Sequence, residues 1–185
     1  MRIISGTHKG ILINAPKNLP VRPTTDRSKE SLFNILENNF DIKKLTVLDI
    51  FSGTGNISYE FCSRNAMHVD AVDVNEKCVL FIKETKLKLK FENLYPIKKN
   101  AFSYLKNCTK KYDIIFADAP YANKQIIEIP RLVVENNLLN QNGWLIVEHE
   151  MHLDLITEKG FFDKRIYGQS AFSFFLSDEI IKNKS

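Results

Sequence analysis

From about residue 45 the chain alternates short apolar runs with longer amphipathic ones. Residues 45–51, 69–72, 112–117 and 143–147 have strand length and are rich in Val, Ile, Leu and Phe, and 95–98 is a further candidate strand. Between them, helical spacing predicts helices over 56–64, 75–91, 102–105 and 125–137, the last one bent at Pro130. Residues 161–167 and 171–176 flank Gly168-Gln169-Ser170 and read as a closing hairpin. Ahead of this alternation, 2–4 and 11–13 are apolar runs around a turn-rich 5–10, which predicts a second, smaller hairpin. Three prolines make 14–23 a connector. Thr24-Thr25-Asp26 then offers capping oxygens to a helix that reaches about Phe40, with Leu32, Phe33, Ile35, Leu36 and Phe40 as its apolar stripe.

Strand-helix alternation ending in a hairpin predicts an α/β fold: a doubly wound, mostly parallel sheet with an antiparallel C-terminal hairpin. The small N-terminal hairpin and helix, 1–40, form an extension to a main domain at 41–185. Hydrophobic residues make up 44% of the 185, enough to cover both faces of such a sheet. No apolar run reaches the roughly 20 residues that span a bilayer, and Met1-Arg2-Ile3-Ile4-Ser5-Gly6 lacks a signal-peptide layout. The expected location is cytoplasmic, with no membrane partner.

The net charge of +4 is mild, but its distribution is uneven. Arg2, His8, Lys9, Lys17, Arg22, Arg27 and Lys29 face only Asp26 and Glu30 within the first 30 residues. Such an arm is either a solvated surface or a nucleic-acid contact. Cys62, Cys78 and Cys108 are odd in number and widely spaced, which points to core thiols over disulfides or a C-x-x-C zinc site. His149-Glu150 is no H-E-x-x-H site, because position 153 is Leu. No metal is expected.

The chemistry concentrates at two predicted strand ends. In Leu48-Asp49-Ile50-Phe51-Ser52-Gly53-Thr54-Gly55-Asn56, two glycines permit a tight turn and close approach of a ligand. A dinucleotide fingerprint would need a third glycine where Ser58 stands. Asp73, closing the next strand, is placed to accept hydrogen bonds from a ribose diol. Asp118-Ala119-Pro120-Tyr121 would close the fourth strand. If that strand lies beside the first, both tips share one crevice, where open α/β sheets bind ligands.

Asp49, Gly53 and Gly55 with Asp73 resemble the nucleoside pocket of class I S-adenosylmethionine-dependent methyltransferases, which have a Rossmann-like fold. The resemblance implies S-adenosylmethionine held by Asp49, Phe51, Gly53, Thr54, Gly55, Asp73, Val74, Asn100, Ala101 and Asp118, with Asn100-Ala101 against the adenine. Asp118-Ala119-Pro120-Tyr121 is similar to the D/N-P-P-Y/F/W motif of enzymes that methylate exocyclic or planar amide nitrogens, with Ala119 departing from its usual proline. Such an amine is a poor nucleophile, because its lone pair is delocalised. Acceptors for its two N–H bonds localise that pair and stabilise the developing positive charge, and an aromatic face receives the unstacked base.

Arg2-Ile3-Ile4-Ser5-Gly6, Arg22-Pro23-Thr24-Thr25-Asp26-Arg27, 48–60, Val147-Glu148-His149-Glu150 and Tyr167-Gly168-Gln169-Ser170 extend the likeness. From Arg2 to about Phe175 the chain resembles the RsmD-type 16S rRNA guanine-N2 methyltransferases. That family methylates guanine 966 in small subunits or their assembly intermediates. The resemblance implies Asp118, Ala119, Pro120 and Tyr121 as the catalytic loop. It likewise implies RNA contacts from Arg2, His8, Lys9, Arg22, Thr24, Arg27 and Gln169. A monomer is the separate expectation for the chain. The competing expectations are an adenine-N6 methyltransferase and a non-catalytic RNA-binding assembly factor. Asp118 counts against a glutamine methyltransferase, and Ser58 against a nicotinamide oxidoreductase.

Overall fold

A computed structural model of the chain describes residues 1–16, 19, 25–119 and 124–177. Two compact units divide it, Met1–Lys99 and Asn100–Ser185.

The first unit opens with the small hairpin, reduced to a single antiparallel bridge between Arg2 and Leu12. Ile3 N–H donates to Ile11 O (3.0 Å), and Gly10 N–H to Ile3 O (2.9 Å). Helix α1 (Asp26–Asn39) begins where Thr25 accepts from Ser28 N–H at 3.2 Å. Its inner stripe of Leu32, Phe33 and Leu36 is fully buried. Three parallel strands follow, β1 (Thr46–Ile50), β2 (His68–Asp73) and β3 (Leu94–Lys98). Between them run α2 (Asn56–Ser63) and α3 (Glu76–Leu89). Val47, Leu48, Ile50, Val69, Ala71 and Val72 have no exposed surface, as strands covered on both faces require. Burial of each larger aliphatic side chain contributes about 1.5–3 kcal/mol.

The second unit carries α4 (Ala101–Asn107), β4 (Tyr112–Asp118), α5 (Glu128–Glu135), β5 (Leu139–Glu150), β6 (Phe161–Tyr167) and β7 (Ser170–Leu176). Strand β5 pairs parallel to β4 and antiparallel to β7, which closes on β6. The strand order is β3-β2-β1 in the first unit and β4-β5-β7-β6 in the second. The expected mostly parallel sheet with an antiparallel C-terminal hairpin is therefore present.

Two local expectations need correction. Pro130 does not bend a helix over 125–137. The chain first makes a 3-10 turn at Lys124–Ile127, and Pro130 falls in the first turn of α5, where no intrahelical partner awaits its missing N–H. Strand β5 starts before Gly143, the expected first residue: Tyr112 pairs with Leu139 across an irregularity before the register resumes at Ile114 and Trp144. Cys62 and Cys78 are buried, while Cys108 sits half-exposed after α4. Among the described residues no helix is long and apolar enough to cross a membrane.

Candidate functional site

The turn after β1 is built from backbone that only certain residues accept. Gly53 and Gly55 adopt φ of 51° and 84°. A Cβ on Gly55 would stand 2.8 Å from the Tyr59 ring and 3.1 Å from Ile82. Phe51, without a glycine's freedom, also has a positive φ of 60°, a strained choice for an aromatic residue. Ser52 N–H donates to Val72 O (3.1 Å) and Gly55 N–H to Ser52 O (2.7 Å), tying the turn to β2 and to itself.

Two carboxylates brace it. Asp73, at the tip of β2, accepts from Gly53 N–H (2.8 Å) with one oxygen and from Asn75 N–H (2.7 Å) with the other. The Val74 N–H also bonds to this carboxylate, which with about four acceptor sites retains room for a further donor. Burial pushes the Asp73 carboxyl above its usual range, and the backbone hydrogen bonds pull against that. Beside it Val74 is 64% exposed, an apolar side chain standing in the open. Asp49 lies beneath the turn, fully buried, and accepts from Ser58 N–H (3.1 Å) and Ser58 Oγ. Burial raises its pKa to about 7, against the lowering effect of the Ser58 bonds. The serine that breaks the dinucleotide fingerprint is thus the partner of the buried aspartate.

All eight residues of α2 are buried, although Asn56, Ser58, Glu60 and Ser63 are polar. Each has a definite partner. Asn56 Oδ1 accepts from Lys29 Nζ at 2.8 Å. Glu60, with no exposed surface, accepts from Ile4 N–H (2.8 Å) and Ser5 N–H (3.0 Å). The same carboxylate pairs with Arg64 (2.9 Å) and with Lys29 (3.4 Å). Ser63 Oγ donates to Ser5 O (2.6 Å) and accepts from His8 N–H (3.0 Å). The hairpin is fastened along α2, with Met1 near Thr54 at one end and Thr7 on Ser63 at the other.

This layout separates the basic residues of the arm. Arg2 pairs with Asp26 at 3.2 Å, both half-exposed, and Arg27, the next residue of the helix, is exposed. Lys9 is exposed by the far end of α2, where His8 packs on Phe91 with ring centroids 4.5 Å apart. Lys29 does not belong to a solvated arm at all: it is 1% exposed. Neither Lys29 nor Glu60 stands out in the sequence, because an isolated charge defaults to the surface. The only hint is Glu60 and Arg64 at helical spacing, which an exposed pair shares. Arg22 and Thr24 lie outside the described residues.

In the second unit, Asn100 caps α4 by accepting from Ser103 N–H at 3.0 Å, and Ala101 is buried. Asp118 ends β4, half-buried, in register with the buried Glu148. Ala119 is buried behind it. Pro120 and Tyr121 lie outside the described residues. His149 bonds Ser173 Oγ (2.7 Å) and the Glu150 carbonyl (2.8 Å), and burial lowers its pKa. It is a strut between β5 and β7. Gln169 is exposed in the β6–β7 turn, its carbonyl accepting from Met151 N–H at 3.0 Å.

Residues 1–176 match the model of a protein family described as Conserved hypothetical protein 95. The chain belongs to that family. Among its curated relatives, the Ribosomal RNA small subunit methyltransferase D of Buchnera aphidicola is 36% identical over 85% of this chain and 80% of its own length. The protein of that name from Escherichia coli is 31% identical over 86% of this chain and 77% of its own length. The solved structure of Escherichia coli yhhF, assigned there as a candidate methyltransferase, superposes with a TM-score of 0.82 at 27% identity, covering 96% of this chain and 97% of that one. A Precorrin-6y C5,15-methyltransferase from Geobacter metallireducens shares the fold alone, with a TM-score of 0.67 at 16% identity over 89% of this chain and 94% of its own. The family and fold expected from the motifs are the ones found.

Proposed function

We propose that the chain transfers a methyl group from S-adenosylmethionine to the exocyclic N2 amine of a guanine in small-subunit ribosomal RNA, with guanine 966 the expected target. The observation that carries this reading is the glycine turn braced by Asp73, in a chain whose curated relatives are named small-subunit rRNA methyltransferases. The residues present fit a nucleoside cofactor. Gly55 leaves backbone without a side chain, Asp73 has acceptor capacity for a ribose diol, and Val74 offers an exposed apolar face. Phe51 and Thr54 would complete the wall of that turn, with Asn100 and Ala101 against the adenine. Bound there, the cofactor would supply an electrophilic methyl on a sulfonium.

Asp118 and the Ala119 carbonyl would accept the two N–H bonds of the purine amine, steering its lone pair outward. Pro120 would hold the loop's direction, and Tyr121 would stack on the base. Arg2, His8, Lys9, Arg22, Thr24, Arg27 and Gln169 would contact RNA. The basic ones among them position the substrate through phosphates without reading its sequence. The 1–40 extension would be the principal RNA-binding part and 41–185 the methyltransferase domain.

The test is mass spectrometry of nucleosides after incubating the protein with cofactor and undermethylated 30S particles. N2-methylguanosine is the expected product. N6-methyladenosine in its absence would overturn the assignment, and no detectable cofactor binding at millimolar concentration would instead make the chain a non-catalytic assembly factor. Within the reading, Asp118→Ala should lower kcat by about 10²–10³-fold, the range for removing one electrostatic contact to a developing charge, while calorimetry shows cofactor binding retained. A wild-type rate in that variant removes Asp118 from the chemistry.

A further inference from the structure

Lys29 joins three separate elements by one buried atom. From α1, its Nζ donates to Arg2 O of the hairpin at 2.6 Å and to Asn56 Oδ1 at 2.8 Å, and it lies 3.4 Å from Glu60 Oε2 on α2. An ammonium has three hydrogens, and three acceptors surround this one. Burial disfavours its charge while Glu60 favours it. With 1% exposure, water is not at hand to replace a lost partner, so the three acceptors must keep their places together.

Those acceptors sit at consequential positions. Asn56 follows Gly55 directly and is the first residue of α2. Arg2 sends its carbonyl inward to Lys29 and its guanidinium outward to Asp26, with Arg27 exposed nearby. Met1 reaches Thr54 Oγ1 with its sulfur at 3.8 Å, a second contact between hairpin and turn. Fixing the Arg2 backbone from outside therefore restrains Asn56 from inside.

We propose that Lys29 is a positioning residue that couples RNA docked on the N-terminal hairpin to the cofactor turn, so that each ligand tightens the binding of the other. The inference rests on the functional reading above. A phosphate held at Arg2 and Arg27 immobilises Arg2, and Lys29 passes that restraint to the start of α2. Residues 53–56 then lose less freedom when the cofactor binds. The coupling is reciprocal by linkage, and it favours loading of the cofactor on protein already engaged with RNA.

Titration calorimetry of the full chain tests this with S-adenosylhomocysteine as the cofactor probe and a synthetic RNA stem-loop at saturation. Wild-type Kd for S-adenosylhomocysteine should fall at least about fivefold when RNA is present, the low end of ordinary coupling, and Kd for RNA should fall by the same factor when the nucleoside is present. In Lys29→Met the ratio should return to within about twofold of unity. Asn56→Ala should do the same with the Lys29–Glu60 pair left intact, which keeps the test valid if Lys29→Met folds poorly. Binding of both ligands to wild type without coupling, or coupling that persists in Asn56→Ala, overturns the inference and leaves the functional reading standing. Failure of wild type to bind S-adenosylhomocysteine at all overturns that reading, and this inference with it.

Discussion

The two ends of α2 are treated in opposite ways. At the C-terminal end the chain itself closes the helix: Thr7 donates to Ser63 O through its N–H (2.7 Å) and its hydroxyl (3.2 Å). Gly6 makes this possible, since a Cβ there would fall 1.9 Å from the Ser63 carbonyl oxygen. At the N-terminal end Gly55 stands at the capping position and provides no side-chain bond, and Asp49 serves the Ser58 amide from below. One glycine admits a neighbouring segment, and the other keeps side chains away. A helix end closed by a neighbouring segment of its own chain is architecture, whereas one whose capping residue has no side chain, at the positive end of the helix dipole, is suited to a ligand.

Glu60 is the fastening point of the closed end, and its loss should have the largest effect. Glu60→Ala leaves Lys29 buried without its carboxylate, reduces Arg64 to its pair with Glu37 and frees two hairpin amides, so urea denaturation should report a loss of about 3–5 kcal/mol. A loss below about 1 kcal/mol would mean that the hairpin is held by other means. Asp49 tests the glycine-capped end through pH. Its native pKa near 7 lies above the ordinary carboxylate value of 3.8, so between those pH values the folded state holds a proton the unfolded state has released. Stability contributed by this group is complete below pH 4, declines as pH rises, and is lost above 7. Asp49→Asn cannot ionise, and its stability relative to wild type should rise by about 4 kcal/mol between pH 4 and 8. A flat difference would show that the carboxylate ionises normally.

Gly55→Ala adds a methyl against Tyr59 in a left-handed backbone. It should cost about 2 kcal/mol, lower Tm by about 4 °C or more, and weaken cofactor binding, whereas unchanged binding would detach the turn from the ligand. The smallest effect belongs to the outer surface of the closed end. Lys9→Ala should leave Tm within about 1 °C, because the side chain is exposed. The slope of log K for RNA against log salt should become less negative by about 1. An unchanged slope would confine RNA contact to the Arg2 end.

Alternation of apolar runs made the sheet and its helices readable, and Thr25 announced the start of α1, because these depend on local pattern. The glycine turn was readable for the same reason, as positive φ restricts the residue choice at Gly53 and Gly55. Lys29, Glu60 and Ser58 were not, since a polar residue in a buried helix differs from a surface one only through distant partners. Pro130 misled because a proline's effect depends on its position within a turn. The turn after β1 and the carboxylate closing β2 were thus legible as local structure, while the fastening along α2 was not.

Among the described residues, β3 in the first unit and β6 in the second each pair with one strand only. Pro96 sits within β3, opposite Ala71, and removes an N–H from the ladder. Strand β6 carries an irregularity between Phe161 and Asp163, followed by Lys164 and Arg165. Neither margin offers an unbroken, uncharged row of amides and carbonyls on which another copy could template itself. The chain is in this way guarded against fibrous self-assembly through its own strand edges.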